Sequence, residues 1–294
     1  MSPISPERRT ELAVSADALF AAHHASVPLV LPNAWDVASA RIVEEAGFHA
    51  VATSSHAVAE VLGGTDDDSN DPDVIFPFLA RIAGAVRVPV TADVEAGYGL
   101  PPAELVERLL AAGIVGCNLE DTDHHGDGVL VDADRQAAFL ADVRAAADAA
   151  GVHLVINARV DTFLRKVGDD DAQMDEAIRR GRLYLQAGAD CVYPITLVDP
   201  ARIRTLSAAI PGPVNVIARA GGPRMDELAE LGVRRISFGG GLHRLVLDHL
   251  RLAVAGIATG SGLATAEIAG FGGRLGRRRE GGGRRPHAGS RRRA

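Results

Sequence analysis

The sequence predicts an α/β fold, a (β/α)8 barrel of the TIM type. Three observations predict it. Short β-branched runs ending in polar residues alternate eight times with Ala/Leu/Arg/Glu-rich stretches of helical spacing. The strand runs are almost continuously apolar, as expected where both sheet faces are buried. No G-x-G-x-x-G follows the first strand, which disfavours the open Rossmann-type alternative. Alternation of this kind in one chain favours a closed barrel.

The strands are expected in PLVLPNA near 28–34, HAVATSS at 49–55, VPVTADVE at 88–95 and VGCNLED at 115–121. The remaining four lie in HLVINARVD at 153–161, DCVYPI at 190–195, VNVIARA at 214–220 and RISFGG at 235–240. Helices are expected at about 36–46, 73–86, 102–112, 133–150, 171–187, 199–209, 224–231 and 242–258. Asp36 opens the first and Gly47 closes it. Pro101-Pro102 opens the third and Gly113 closes it, while Gly188 and Gly232 end two others.

At about 100–200 residues per domain, 294 residues allow one large domain or two ordinary ones. An apolar fraction of 47% and a charged fraction of 23% exclude a wholly disordered or collagen-like chain. Apolar runs are short and interrupted, so no membrane-spanning helix is expected. The start, MSPISPERRTELAVSADALF, has no apolar h-region, and secretion is not expected. Two cysteines, Cys117 and Cys191, are too few for a disulfide framework and read as reduced, buried thiols. A cytoplasmic location follows by default.

Lys166 is the only lysine. The net charge is -7, but residues 274–294 hold nine Arg and one Glu, or +8, so residues 1–273 carry -15. That acidic body argues against nucleic-acid binding. The organisation expected is a lead-in helix within 1–24, a barrel over 25–262 and a Gly/Arg-rich tail over 263–294 that lacks the pattern to pack a core.

In such a barrel the active site lies at the C-terminal ends of the strands. The second strand ends in Thr53, Ser54, Ser55 and His56, the third in Asp93 and Glu95, the fourth in Asn118, Glu120 and Asp121. The fifth ends in Asn157, Arg159 and Asp161, the seventh carries Asn215, and the eighth ends in Ser237 and a Gly triplet. Strand alternation is expected to turn Asp93 and Glu95 the same way. Asp93, Glu95 and Glu120, with no Cys/His cluster, fit a hard cation held largely through water: Mg²⁺ first, Mn²⁺ second. The alternative is that these acids cap loops and pair with arginines. Arg159 either grips a substrate carboxylate with its fork or forms a structural ion pair with Asp161 or Glu120. Ser54 and Ser55 either cradle a small anion or make a plain turn. His124 and His125, in EDTDHHGDG, are expected to be solvated.

These residues carry a resemblance. LPNAWDVASARIVEEAGFHAVATSS, TADVEAGYG, GCNLEDT, INARVDTFL, GADCVYP and GPVNVIARAGGPRMDELAELGVRRISFGGGLHR, in this order across about 28–245, resemble the isocitrate lyase/phosphoenolpyruvate mutase superfamily. The resemblance implies a Mg²⁺-dependent lyase that cleaves a C–C bond of a small 2-hydroxy or 2-oxo dicarboxylate through an enolate. It leaves two alternatives: a phosphoenolpyruvate-type phosphonomutase acting on a P–C bond, and a barrel that binds oxo-acids without catalysis. Asp93 and Glu95 match the acidic pair that holds the metal through its waters, and Glu120 the third acid. Arg159 matches the carboxylate clamp, Ser54-Ser55 the small-residue turn over the substrate, and Asp66 a loop aspartate near the reacting group. Asn215 is taken with the substrate-binding set. The family also implies a homo-oligomer, a dimer or tetramer. One departure is plain. Lyases of this family carry a Lys-Lys-Cys-Gly-His motif between the fourth and fifth strands, and mutases carry Lys and Asn there. Here the loop is DTDHHGDGVLVDAD.

Overall fold

A computed structural model describes residues 4–260. The Arg-rich tail expected over 263–294 lies outside the described residues. The described residues divide into two units, 4–244 and 245–260.

The lead-in helix is α1, Pro6–His23, with Pro6 in its first turn and the Ser5 hydroxyl accepting from the Arg8 N–H at 3.2 Å. The first strand is split into β1, Leu29–Leu31, and β2, Asn33–Ala34. Pro32 stands at the break, and having no N–H it cannot continue the ladder. There follow α2 (Val37–Glu45), β3 (Val51–Thr53), α3 (Ser55–Leu62), α4 (Pro72–Ala83), β4 (Val90–Asp93) and α5 (Pro102–Ala111). Then come β5 (Gly116–Glu120), α6 (Ala133–Ala149), β6 (Val155–Val160), α7 (Thr162–Arg165), α8 (Asp170–Gln186) and β7 (Cys191–Pro194). The last elements are α9 (Pro200–Ala209), β8 (Asn215–Ile217), α10 (Met225–Glu230), β9 (Arg235–Ser237) and α11 (Gly241–Ala258). Each strand falls inside a run marked by its β-branched composition.

All strand pairings are parallel. One sheet runs β2-β3-β4-β5-β6-β7 and the other β1-β9-β8. Because β1 and β2 are one strand interrupted at Pro32, the two sheets are continuous there. On the other side a parallel bridge, Val192 to Val214, joins β7 to β8. The pairings thus run round a ring of eight, the barrel. Its interior and its seam with the helices are filled by Leu31, Ala92, Cys117, Leu119, Ile156, Ala158, Val192 and Ile236, all at most 1% exposed. Both cysteines are buried free thiols, pushed up to about 12 by burial.

Two helices were not anticipated. The stretch read as the polar end of the second strand turns at once into α3, capped by the Ser54 hydroxyl and closed by Gly63 at φ 79°. The single turn α7 follows β6 directly. Among the described residues no helix is long and apolar enough to cross a membrane. In the second unit, Leu245, Val246, Leu250, Leu252, Val254 and Ile257 of α11 are exposed.

Candidate active site

The polar strand ends do gather at one end of the barrel. β4 stops at Asp93, whose N–H donates to Thr53 Oγ1 at 3.1 Å and whose Oδ2 accepts from Asn118 Nδ2 at 3.1 Å. Glu95 is not placed by strand alternation, as the sequence suggested. It lies past the strand in a left-handed turn, with φ 53° at Glu95, 100° at Gly97, 55° at Tyr98 and 66° at Gly99. The loop before α4 is what holds this turn. Asp68, itself buried, accepts on Oδ1 from the Ala96 N–H (3.1 Å) and the Tyr98 N–H (2.8 Å), and its own N–H donates to the Glu95 carboxylate. Of the aspartate triplet, Asp68 is therefore structural. Asp66 remains a third exposed, 3.9 Å from His56 Nδ1.

Glu120 ends β5 and is 3% exposed. One oxygen meets the Arg159 guanidinium and the other accepts from His124. Arg159 also grips Asp161 with both arms of one edge, Nε to Oδ1 at 2.8 Å and Nη2 to Oδ2 at 2.9 Å. Both structural partners weighed for Arg159 are thus made, and only Nη1 has no protein acceptor among the described residues. Asp161 is braced in turn. Thr122 Oγ1 donates to it at 2.6 Å, and its N–H donates to Asp121, which accepts from Arg180 Nη1 (3.0 Å) and Tyr184 Oη (2.7 Å). A charged fork held this way cannot swing to solvent without stranding buried charges.

The remaining candidates divide. The Ser54 hydroxyl accepts from the Ala57 N–H at 3.4 Å and so caps α3, while Ser55 stands in that helix's first turn, where backbone N–H groups lack helical partners. Asn215 is fully buried and donates to Ser237 Oγ at 3.0 Å; among the described residues no hydrogen bond joins it to the acids. His124 departs from expectation. Its side chain is only 9% exposed and is bonded to Glu120, whereas His125, 67% exposed, reaches Asp68 Oδ2 at 3.1 Å. A four-residue step from Glu120 brings His124 back over the strand end, a fold-back that composition does not reveal.

Burial dominates the electrostatics. It pushes Asp93 up, Glu95 up to about 8 and Glu120 up to about 7, with neighbouring carboxylates adding to each. His124 is raised, first by its hydrogen bond to Glu120. Burial would also raise Asp161, but the Arg159 guanidinium, the Thr122 hydroxyl and Arg165 together hold this carboxyl low. Acids this reluctant to ionise together are a place where positive charge is wanted. The donor set is oxygen-rich and suits a hard cation. Among the described residues no three His, Cys, Asp or Glu side chains stand close enough to ligate an ion directly.

The chain matches the family model described as phosphoenolpyruvate phosphomutase over residues 19–258. It belongs to that family. It is accordingly an enzyme of the phosphoenolpyruvate mutase/isocitrate lyase superfamily, whose members act on small carboxylates. An uncharacterised protein of Mycobacterium tuberculosis is 34% identical over 218 residues, spanning 74% of this chain and 80% of that one. An oxaloacetate decarboxylase of Ectopseudomonas mendocina is 31% identical, covering 69% and 70%. Among solved structures, one described provisionally as a phosphonomutase, from Burkholderia cenocepacia, is 41% identical with a TM-score of 0.77 and covers 82% of this chain and 99% of that one. A phosphonopyruvate hydrolase bound to oxalate and Mg²⁺ is 25% identical with a TM-score of 0.75, covering 87% and 90%.

Sequence reasoning listed Asp121 at a strand end without giving it a role and missed Asp68, Arg180 and Tyr184; all four position rather than line the site. The one available signal was the paired acid in GCNLED: a second acid directly after Glu120 faces the other way and needs a buried cation. Nothing local marks Arg180 as that cation.

Proposed function

We propose that this enzyme is a Mg²⁺-dependent lyase that cleaves a C–C bond of a small 2-hydroxy or 2-oxo dicarboxylate. The observation that carries the reading is the cluster of Asp93, Glu95 and Glu120, all with raised pKa values, beside the braced Arg159. Asp93, Glu95 and Glu120 would hold the ion through its waters. When bound, it supplies positive charge where an enolate oxygen develops during cleavage next to a carbonyl. The chain's own groups supply the rest. Arg159 offers Nη1 to a substrate carboxylate, and Ser55 offers first-turn N–H groups of α3 to its other end. Asp66 stands at the open side of the loop, where the reacting group would lie. His124, in the loop where lyases of the family carry Lys-Lys-Cys-Gly-His, is hydrogen-bonded to Glu120, and the pair can hold a proton between them. The relative named as an oxaloacetate decarboxylase and the neighbour bound to oxalate and Mg²⁺ support a small oxo-acid.

A phosphonomutase reading draws support from the 41% identical structure, so the deciding panel must contain both substrate types. The purified chain is given substituted malates, oxaloacetate, phosphoenolpyruvate and phosphonopyruvate, with Mg²⁺ or with a chelator. Pyruvate or oxalate release that needs Mg²⁺ is expected. A new phosphonate ³¹P signal from phosphoenolpyruvate instead would make it a mutase, and oxalate binding with no turnover would make it a binding protein. Asp93→Ala and Glu120→Ala should each weaken Mg²⁺-dependent oxalate binding by about 10–100-fold, as outer-shell metal partners do. Unchanged calorimetric binding in both would remove the metal assignment.

A further inference from the structure

Arg235 opens β9 and is 1% exposed, the largest fully buried side chain in the described part of the chain. Its Nη2 donates to Asn118 Oδ1 at 3.0 Å, and its Nη1 lies 3.3 Å from His23 Nε2. Among the described residues no carboxylate pairs with it, and its Nε has no acceptor. A buried guanidinium without an acid is costly and calls for a reason.

Guanidinium is donor-only and does not lose its proton, so its neighbours' hydrogen bonds can be assigned from it. His23 Nδ1 lies 2.8 Å from the Leu19 carbonyl, which only accepts. The proton therefore sits on Nδ1, and Nε2 turns its lone pair to Arg235. Burial, which holds this imidazole down to about 3, keeps it neutral. The Asn118 atom facing Nη2 must be oxygen, and Asn157 Nδ2 donates to the same oxygen at 2.8 Å. Asn118 Nδ2 is then the atom that meets Asp93 Oδ2.

We propose that Arg235 is a positioning residue for the acidic site: from inside the barrel it locks the Asn118 amide so that its N–H, not its carbonyl, faces Asp93. The lead-in helix belongs to the device, because His23 on α1 supplies the acceptor that steadies Arg235. Without the guanidinium only Asn157 holds the Asn118 oxygen, and that amide can itself turn over, so the pair can flip together and set an oxygen lone pair against the Asp93 carboxylate, spoiling the geometry of a group that holds the ion's waters. This role rests on the metal reading proposed above.

The test uses the full chain, Mn²⁺ alone as the probe, and two readouts: Mn²⁺ affinity by electron paramagnetic resonance, and melting temperature. Arg235→Met removes the donor and the buried charge. It is expected to weaken Mn²⁺ binding by about 10–100-fold, the range for outer-shell partners, with melting temperature held or raised. Arg235→Lys, which can still donate to Asn118, should recover most of the affinity. Asn118→Ala should lose affinity to the same degree, and the Arg235→Met/Asn118→Ala double variant should lose no more, since the two act in one chain. A folded Arg235→Met protein with normal Mn²⁺ affinity, or losses that add in the double variant, would overturn the role. Should Arg235→Met not fold, normal affinity in Asn118→Ala overturns it equally. A native chain that binds no Mn²⁺ would overturn the metal reading itself, and this role with it.

Discussion

Arg159 serves two masters at the residue scale. Its Nε–Nη2 edge is committed to Asp161, and Nη2 also meets Glu120, so on the proposed reading a substrate carboxylate would be left with Nη1 rather than the whole fork. Lysine cannot reproduce the planar pair of donors. Arg159→Lys is therefore expected to lower the melting temperature, because Asp161 loses its bidentate partner. It should also weaken oxalate binding by roughly 1.5–3 kcal/mol, as for a hydrogen bond to a charged group. Both quantities should be read on one preparation. Lowered stability with normal oxalate affinity would leave Arg159 as scaffold only.

At the scale of elements, the close approach of α1 to β5 depends on Gly116. A Cβ there would lie 2.8 Å from Leu19 Cδ2, 3.0 Å from Thr91 Oγ1 and 3.1 Å from the Val155 carbonyl oxygen. The first can swing aside, but the carbonyl belongs to the neighbouring strand and cannot. Gly116→Ala should destabilise the barrel by about 1–3 kcal/mol, the usual cost of overpacking, read as a lower denaturant midpoint at constant slope. An unchanged midpoint would mean that α1 does not pack there as described. The same contact keeps His23, one turn beyond Leu19, against Arg235, so this variant should also disturb the inner side of the site.

For the molecule as a whole, the raised acids tie stability to pH. Glu95 and Glu120, near 4.5 when unfolded, stand at about 8 and about 7 in the folded chain. Between these values the folded state binds more protons than the unfolded one, so stability falls as pH rises from about 5 to 8. His124, whose pKa is also raised, acts in the same direction: its contribution is present below its unfolded value and is lost as pH climbs through the folded one. Asp161, held low, opposes only in acid, below the ordinary carboxylate range. In chelator the melting temperature should therefore drop between pH 5 and 8, by roughly 2–4 °C for each kcal/mol lost. Mg²⁺ should restore it most at the upper end, where the acids are ready to ionise, with about 2.7 kcal/mol gained at a hundredfold excess over Kd. A melting temperature that rises with pH in chelator, or ignores Mg²⁺ at pH 8, would contradict this account.

The barrel and the position of its mouth were legible in the chain because their signals are local. Runs such as HLVINARVD and VPVTADVE announce strands through β-branched residues, and caps such as Asp36 and Gly47 lie within a few residues of what they end. Strand ends then name Asp93, Glu120 and Arg159 without further help. Partners are another matter. That Arg159 spends its fork on Asp161, that His124 folds back on Glu120, and that Asp68 rather than Asp66 holds the turn at Glu95 depend on how loops pack. Arg235 shows the limit most clearly. Read along the chain it is one of two arginines at the start of a strand, yet its hydrogen bonds reach Asn118 across 117 residues and His23 across 212. A side chain's tendency to form a strand is set by its immediate neighbours. Whether its charge is solvated or buried, and against which group, is set only when the ring closes and strands distant in sequence share one interior.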